Sequence, residues 1–408
     1  MIKIVDREGA RTLAAQRSRS LAQAEDEVAP ILADVRARGD RALLEYARKF
    51  DGFEAETVRI PVRGALDPSI EHAVEIAAGN IRGYARTQLP RETFVETADG
   101  RRLGQIVRPL DSMGAYIPAG RYPLPSTLLM TVIPAQVAGV ATTCVACPHP
   151  SAEILGIAAW LGVTDLFQMG GAQAIAALAF GTETVPKVAR IVGPGNIYVA
   201  AAKKLLAGEV GIDFVAGPTE IVIIASDGNP AWLAADLLAQ AEHDFDASAI
   251  LITTSRTLAK AVAEEVERQL TTLATAKIAQ VSIDHNGAII VVDSLEEGVE
   301  MANELAPEHL ALHDASLLAK IRHAGSVFLG EYSPEAAGDY ASGPNHVLPT
   351  SGAARLRGGL SAADFVKVIS VQELSREGLA ELAPAITTLA RAEGLEAHAR
   401  SVEIRADV

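Results

Sequence analysis

The stretch GVATTCVACPHPSAEILGIAAWLGVTDLFQMGGAQAIAALAFG, residues 139–181, decides the fold. Its two apolar runs, GVATTCVACP and VTDLFQM, are short, bounded by Gly or Pro, and apolar without alternation. That is the pattern of strands buried on both faces. Between and after them, SAEILGIAAWLG and GGAQAIAALAFG carry small and aliphatic residues at helical spacing. Strand, helix, strand, helix in this order implies a parallel sheet with crossover helices. The same unit recurs downstream as VARIVG followed by PGNIYVAAAKKLLAG.

A second set begins near residue 220 with TEIVIIAS, the helix PAWLAADLLAQAEHD, the strand SAILITTS, a charged helix from Leu258 to Leu273, and GAIIVVDS. Upstream, EDEVAPILADVRARGDRALLEYARKFDG reads as helix, with Gly39 as a stop and Asp40 as the next cap. IVRPLDSMGAYIPAGRYPLPS reads as a strand and a loop, with Ser126 capping the following helix. From GLSAADFVKVISVQELS onward the chain reads as mostly helical. The expected fold class is α/β, with two Rossmann-like lobes of parallel sheet, a helical N-terminal segment and a small C-terminal helical tail domain. Expected boundaries are 1–105, 106–219, 220–357 and 358–408. Ligands of such folds bind in the crevice outside the carboxyl ends of the strands.

The chain has 408 residues, more than one hydrophobic core usually serves. A formal charge of −15, with no cluster of Lys and Arg, argues against nucleic acid as a partner. No apolar run is long enough to span a membrane, and the opening residues are too polar for a secretory signal, so a cytoplasmic location is expected. Cys144 and Cys147 form an isolated C-x-x-C in apolar surroundings. Small buried cysteines on a strand explain them better than a redox pair or half a zinc site.

No G-x-G-x-x-G occurs, because GPGNIY breaks at the third glycine, and no P-loop is present. MGGAQ and VGPGN nevertheless put small residues between a strand and a helix N-terminus, where free amides attract anions. In the helix that opens the second lobe, Asp236, Gln240 and His243 share one face; solvation explains such a stripe as readily as a metal. Glu308 and His309 follow Pro307 in NELAPEHLALHD, whose alternation is that of a strand. There His309 and His313 stand about 13 Å apart, too far for one ion. An adjacent Glu and His at a strand end can serve as base and proton carrier, or be an ordinary exposed pair. Asp339 and His346 fall in GDYASGPNHVLP, which reads as a loop. Glu393 and His398 lie on a tail helix, where exposure is the plain explanation.

Taken together, YIPAGRYPLPST, GGAQAIAALAFGTETVPKV, GPGNIYVAAAK, DFVAGPTEIVIIA, LLAQAEHD, ELAPEHL, AGSVFLGEYSPEAAGDYASGPNHVLPT, GLSAADFVKVISVQELS and EGLEAH resemble the histidinol dehydrogenase family, in its order, from about residue 25 to the end. The resemblance implies one Zn2+ per subunit held by Gln240, His243, Asp339 and His398. It implies Glu308 and His309 as the catalytic pair, and NAD contacts at Tyr116, Gln173 and Asn196. Substrate contacts are implied at Thr219, Gln240, His243, His309, Asp339, His346, Glu393 and His398. The implied reaction is oxidation of L-histidinol to L-histidine with two NAD, in a homodimer whose tail completes the neighbour's site. Thr219 stands where Ser is more frequent in the family, and Ala119 and Tyr122 depart from its usual loop. A relative acting on a sulfonate-bearing alcohol is disfavoured by Glu393, which suits a cation. A non-catalytic binding protein is disfavoured by the Glu308 and His309 pair.

Overall fold

The computed structural model describes residues 2–6, 21–118 and 123–406, so Ala119 and Tyr122 lie outside the described part. The chain forms two compact units, Met1–Thr87 with Asp111–Phe365, and Gln88–Leu110 with Val366–Val408.

The larger unit contains two six-stranded sheets. The first has the order β2 (Arg59–Ile60), β7 (Asp165–Phe167), β6 (Thr142–Ala146), β5 (Ser112–Tyr116), β8 (Arg190–Val192), β9 (Gly211–Ile212), and only β2 runs antiparallel. The second has the order β1 (Lys3–Val5), β12 (Ala288–Val291), β11 (Ser248–Thr253), β10 (Glu220–Ile224), β13 (His309–Leu312), β14 (Ser326–Leu329), all parallel. Within β10 the period of two sends Ile221 and Ile223 to one face, against Leu233 and Leu237 of the helix Pro230–Ala241. It sends Val222 and Ile224 to the other, against Val299 and Ala302 of the helix Leu295–Leu305. Both faces are therefore dry, which is why the strands read as unbroken apolar runs.

Several local expectations change. The N-terminal segment is not purely helical, since β1 and β2 add edges to the two sheets. The helix Pro125–Ala138 starts with proline at its first turn and Leu124 as cap, so Ser126 lies inside it. A fixed φ and a missing N–H make proline a better first residue than its neighbour is a cap. Asp40 is likewise the first helical residue, and Gly39, with φ 53°, takes the cap position.

The smaller unit contains an antiparallel sheet of β15 (Val366–Leu374), β4 (Arg101–Pro109) and β3 (Thr93–Glu96). Helices Arg376–Ala392 and Glu396–Ala406 follow, so the tail opens with a long strand rather than a helix. No helix among the described residues is long and apolar enough to cross a membrane.

Candidate functional site

The chemistry-bearing side chains gather at the amino edge of the second sheet. Thr219 immediately precedes β10, Glu308 precedes β13, and His309 pairs with Ile221 at the start of both strands. The helix Pro230–Ala241 begins beyond the carboxyl end of β10 and ends at the opposite edge, bringing Gln240 and His243 there. The expected position at the carboxyl ends is thus reversed in this lobe. Helix C-termini present carbonyls and partial negative charge, which favours cations where a helix N-terminus favours anions. The His243 imidazole itself lies 3.0 Å from the Ala239 carbonyl through Nδ1.

His309 is buried, with Nδ1 3.2 Å from the Glu220 carbonyl oxygen. A carbonyl only accepts, so that contact places the ring proton on Nδ1 and leaves the Nε2 lone pair free. Nε2 is a buried atom with no hydrogen-bond partner. Burial lowers the His309 pKa to about 4, so the ring is neutral near pH 7. Glu308 is also buried. Its Oε2 accepts from Thr219 Oγ1 at 2.5 Å and from the Glu220 N–H at 3.0 Å, while burial holds its carboxyl well above the usual carboxylate range.

The segment read as a loop around Asp339 is a short helix, Glu335–Tyr340, entered from Pro334 in extended conformation. Glu335 and Asp339 are one turn apart on it and share a face. Asp339 Oδ2 lies 4.0 Å from His243 Nε2, and its Oδ1 lies 3.9 Å from His309 Nε2. Glu335 is buried, with Oε1 3.5 Å from His309 Nδ1. The Gln240 amide nitrogen donates to the Glu335 oxygens, 2.6 and 3.0 Å away, and its oxygen lies 2.8 Å from Thr219 Oγ1, whose one proton goes to Glu308. The opposite orientation would set its oxygen against a carboxylate. Glu335 escaped the sequence reading because a lone acid beside a proline looks solvated. Its spacing of four from Asp339 was the available signal.

One imidazole and two carboxylates, those of His309, Glu335 and Asp339, offer ligand atoms within 4.8 Å of one another, with His243 adjoining at Asp339. This donor set suits a divalent cation such as zinc. Asp339 belongs both to this cluster and to the ligand set expected from the sequence. Glu393 and His398 lie in the smaller unit, at the end of the helix Arg376–Ala392 and in the helix Glu396–Ala406, and both are exposed. His346 binds the Asp339 carbonyl through Nδ1 (2.8 Å) and faces Thr127 Oγ1 at 3.3 Å. It thereby bridges to the helix Pro125–Ala138 of the first lobe.

The residues expected to contact a nucleotide cluster at the carboxyl edge of the first sheet. Their turns differ from the anion cradle that spacing suggested, because several amides are already taken. The Gly170 N–H donates to Asp51 Oδ2 (3.0 Å), and the Gly171 N–H to the Tyr116 hydroxyl oxygen (3.1 Å). Asn196 caps the helix Ile197–Leu206 by accepting from the Tyr198 and Val199 amides, each at 3.1 Å. The Gly193 N–H donates to Asp213 Oδ2 (2.8 Å), while buried Lys203 Nζ donates to Gly193 O (2.5 Å) and Asp213 Oδ1 (2.7 Å). Gly193 has φ 110°, and a Cβ there would fall 2.2 Å from the Tyr116 carbonyl oxygen, so the turn requires glycine. Cys144 and Cys147 are buried free thiols that burial pushes up to about 11 and about 12, as suits inert core cysteines.

The family model for histidinol dehydrogenase matches residues 14–406. Histidinol dehydrogenase from Geobacillus kaustophilus is 49% identical over 393 residues, covering 93% of both chains. The Aquifex aeolicus enzyme of the same name is 47% identical over 393 residues, 93% of this chain and 92% of that one. A crystal structure of histidinol dehydrogenase from Elizabethkingia anophelis aligns with TM-score 0.93 and 37% identity, covering 100% of this chain and 98% of the other. An acetylating aldehyde dehydrogenase from Geobacillus thermoglucosidasius shares the fold alone, with TM-score 0.51 and 12% identity over 90% of this chain and 97% of that one.

Proposed function

This chain belongs to the histidinol dehydrogenase family, and from that premise we propose that it oxidises L-histidinol to L-histidine through histidinal and its hydrate, the last step of histidine biosynthesis. Zinc, one per subunit, would be held by Gln240, His243, Asp339 and His398 and would orient the substrate's nitrogens, while two NAD would accept the two hydrides. The single observation that carries the reading is the free, buried Nε2 of a neutral His309 beside Asp339, at an edge otherwise rich in carboxylates.

His309 Nε2 takes the proton of the substrate hydroxyl, a task for which its neutral form and its Nδ1 contact to a carbonyl prepare it. Glu308 aids the later step by accepting a proton from the water that adds to the aldehyde. Thr219 keeps that carboxyl in place and also meets the Gln240 amide, so its hydroxyl serves both the base and the ligand helix. The acids at this edge suit a cationic amine or imidazolium, and Glu393 would add another from the tail. Tyr116, Gln173 and Asn196 would receive NAD at the carboxyl edge of the first sheet, with His346 near the junction of the two lobes. Glu393 and His398 are exposed and so free to meet another subunit; the enzyme would be a cytoplasmic homodimer in which each tail completes the partner's site.

Mixing the zinc-loaded protein with L-histidinol and NAD is expected to yield two NADH and one L-histidine per histidinol consumed. Absence of NADH from a folded, metal-loaded protein would refute the assignment.

A further inference from the structure

Asp51 is absent from the set of residues assigned above, yet it is hydrogen-bonded to Gln173, one of the proposed nucleotide contacts, and to the turn that precedes it. It is the last residue of the helix Asp40–Asp51, which packs against the helix Gly171–Phe180 through Ala42, Leu43 and Ala47 on one side and Ala172, Ile175 and Ala176 on the other. The two helices span about 18 and 15 Å at 1.5 Å per residue, and they are fastened at both ends. At one end Asp40 accepts from the hydroxyls of Thr182 and Thr184, just beyond the second helix. At the other, Asp51 Oδ2 accepts from the Gly170 N–H at 3.0 Å and from Gln173 Nε2 at 3.2 Å.

The two ends differ in what they hold. Asp40 fastens a loop with no assigned role. Asp51 fixes the buried side chain of Gln173 and the turn whose next amide holds the Tyr116 hydroxyl. Asp51 is half-buried, and Gly170 is so close that a Cβ there would meet Asp51 Oδ1 at 2.9 Å. Its charge adds to burial in pushing the Tyr116 phenol up to about 12. A carboxylate lodged where a phosphate would otherwise find amides accepts from hydroxyls and repels phosphate oxygens.

We propose that Asp51 positions Gln173 and the Gly170 turn for the dinucleotide, and that its charge, aimed at a ribose hydroxyl rather than a phosphate, makes the pocket reject a dinucleotide bearing an additional ribose phosphate. This rests on the nucleotide reading of Tyr116, Gln173 and Asn196.

The experiment compares steady-state kinetics with NAD and NADP for the wild-type holoenzyme, Asp51→Asn and Gln173→Ala. Asp51→Asn is expected to raise KM for NAD about tenfold with kcat within about twofold and KM for histidinol unchanged. The ratio of kcat/KM for NADP to that for NAD should rise at least about tenfold, a shift that mere loosening of a helix would not produce. Asp51→Ser, which keeps an acceptor for the Gly170 amide, is the second route should the amide variant not fold, and the same rise in the ratio is expected. A lowered melting temperature with both kinetic ratios unchanged overturns the proposal. If Gln173→Ala raises KM for NAD and neither Asp51 variant does, the role of Asp51 alone fails. If Gln173→Ala also leaves KM for NAD unchanged, the pocket itself is wrongly placed and the proposal falls with it.

Discussion

The two six-stranded sheets are built alike but gather their chemistry-bearing side chains at opposite edges. In the first, Tyr116 ends β5 and Gln173 and Asn196 follow β7 and β8, all at the carboxyl edge, where helices begin. In the second, Thr219, Gln240, His243, Glu308 and His309 stand at the amino edge, where helices end. A helix start offers N–H groups and suits anions; a helix end offers carbonyls and suits cations. Under the proposed function, one architecture would supply a pocket for a dinucleotide and another for a metal and a cationic substrate, with the two lobes using different edges. The first lobe adds a refinement, since Asp51, Asp213, Asn196 and Tyr116 already occupy amides at its turns.

The difference can be broken most severely at the cation edge. Replacing His243 with Asn is expected to remove bound zinc and lower activity by at least about a thousandfold with the fold retained, because the side chain is partly exposed and leaves no core cavity. Zinc content by atomic absorption, beside circular dichroism, checks this, and a full zinc complement would reject the assignment. His309→Asn should lower kcat by about a thousandfold while zinc stays bound, the magnitude expected for a lost general base.

Glu335→Gln sharpens the comparison because it keeps shape and removes charge. Zinc affinity should fall about tenfold to a hundredfold, as for other groups that orient a ligand, and competition with a chelator measures it. At the nucleotide edge, Asn196→Ala should raise KM for NAD and cost about 1 kcal/mol of stability through the lost helix cap, with zinc content unchanged. A further effect concerns pH. His309 in the folded protein titrates near 4 against about 6.5 when unfolded, so the unfolded chain binds the extra proton between those values. Stability from this group is therefore present above about 6.5 and is lost as pH falls toward 4, which urea titrations at pH 7 and 5 would show as a lower midpoint at pH 5. His309→Asn should flatten that difference.

Much of this arrangement was legible in the sequence. Alternating apolar runs and Ala-rich helices identified both lobes, and HLALH identified β13, because both signals are local. The β4 and β15 pairing was not legible, since it joins Arg101–Pro109 to Val366–Leu374 across most of the chain and neither segment records its partner. The choice of edge was missed for a related reason. Periodicity says that a strand exists at His309 but not which end faces a cleft. Glu335 and Asp51 were missed because an acid at a helix end is usually solvated, and only the folded chain shows Gln240 above one and Gln173 above the other.

The most direct measurement of the central claim is anomalous X-ray scattering at the zinc edge from crystals of the zinc-loaded protein soaked with histidinol. The account predicts a zinc peak at bonding distance from the Asp339 carboxylate and His243 Nε2, beside the amino ends of β10 and β13. A peak at the carboxyl edge of either sheet, or none within bonding distance of Asp339 in fully loaded protein, would contradict it.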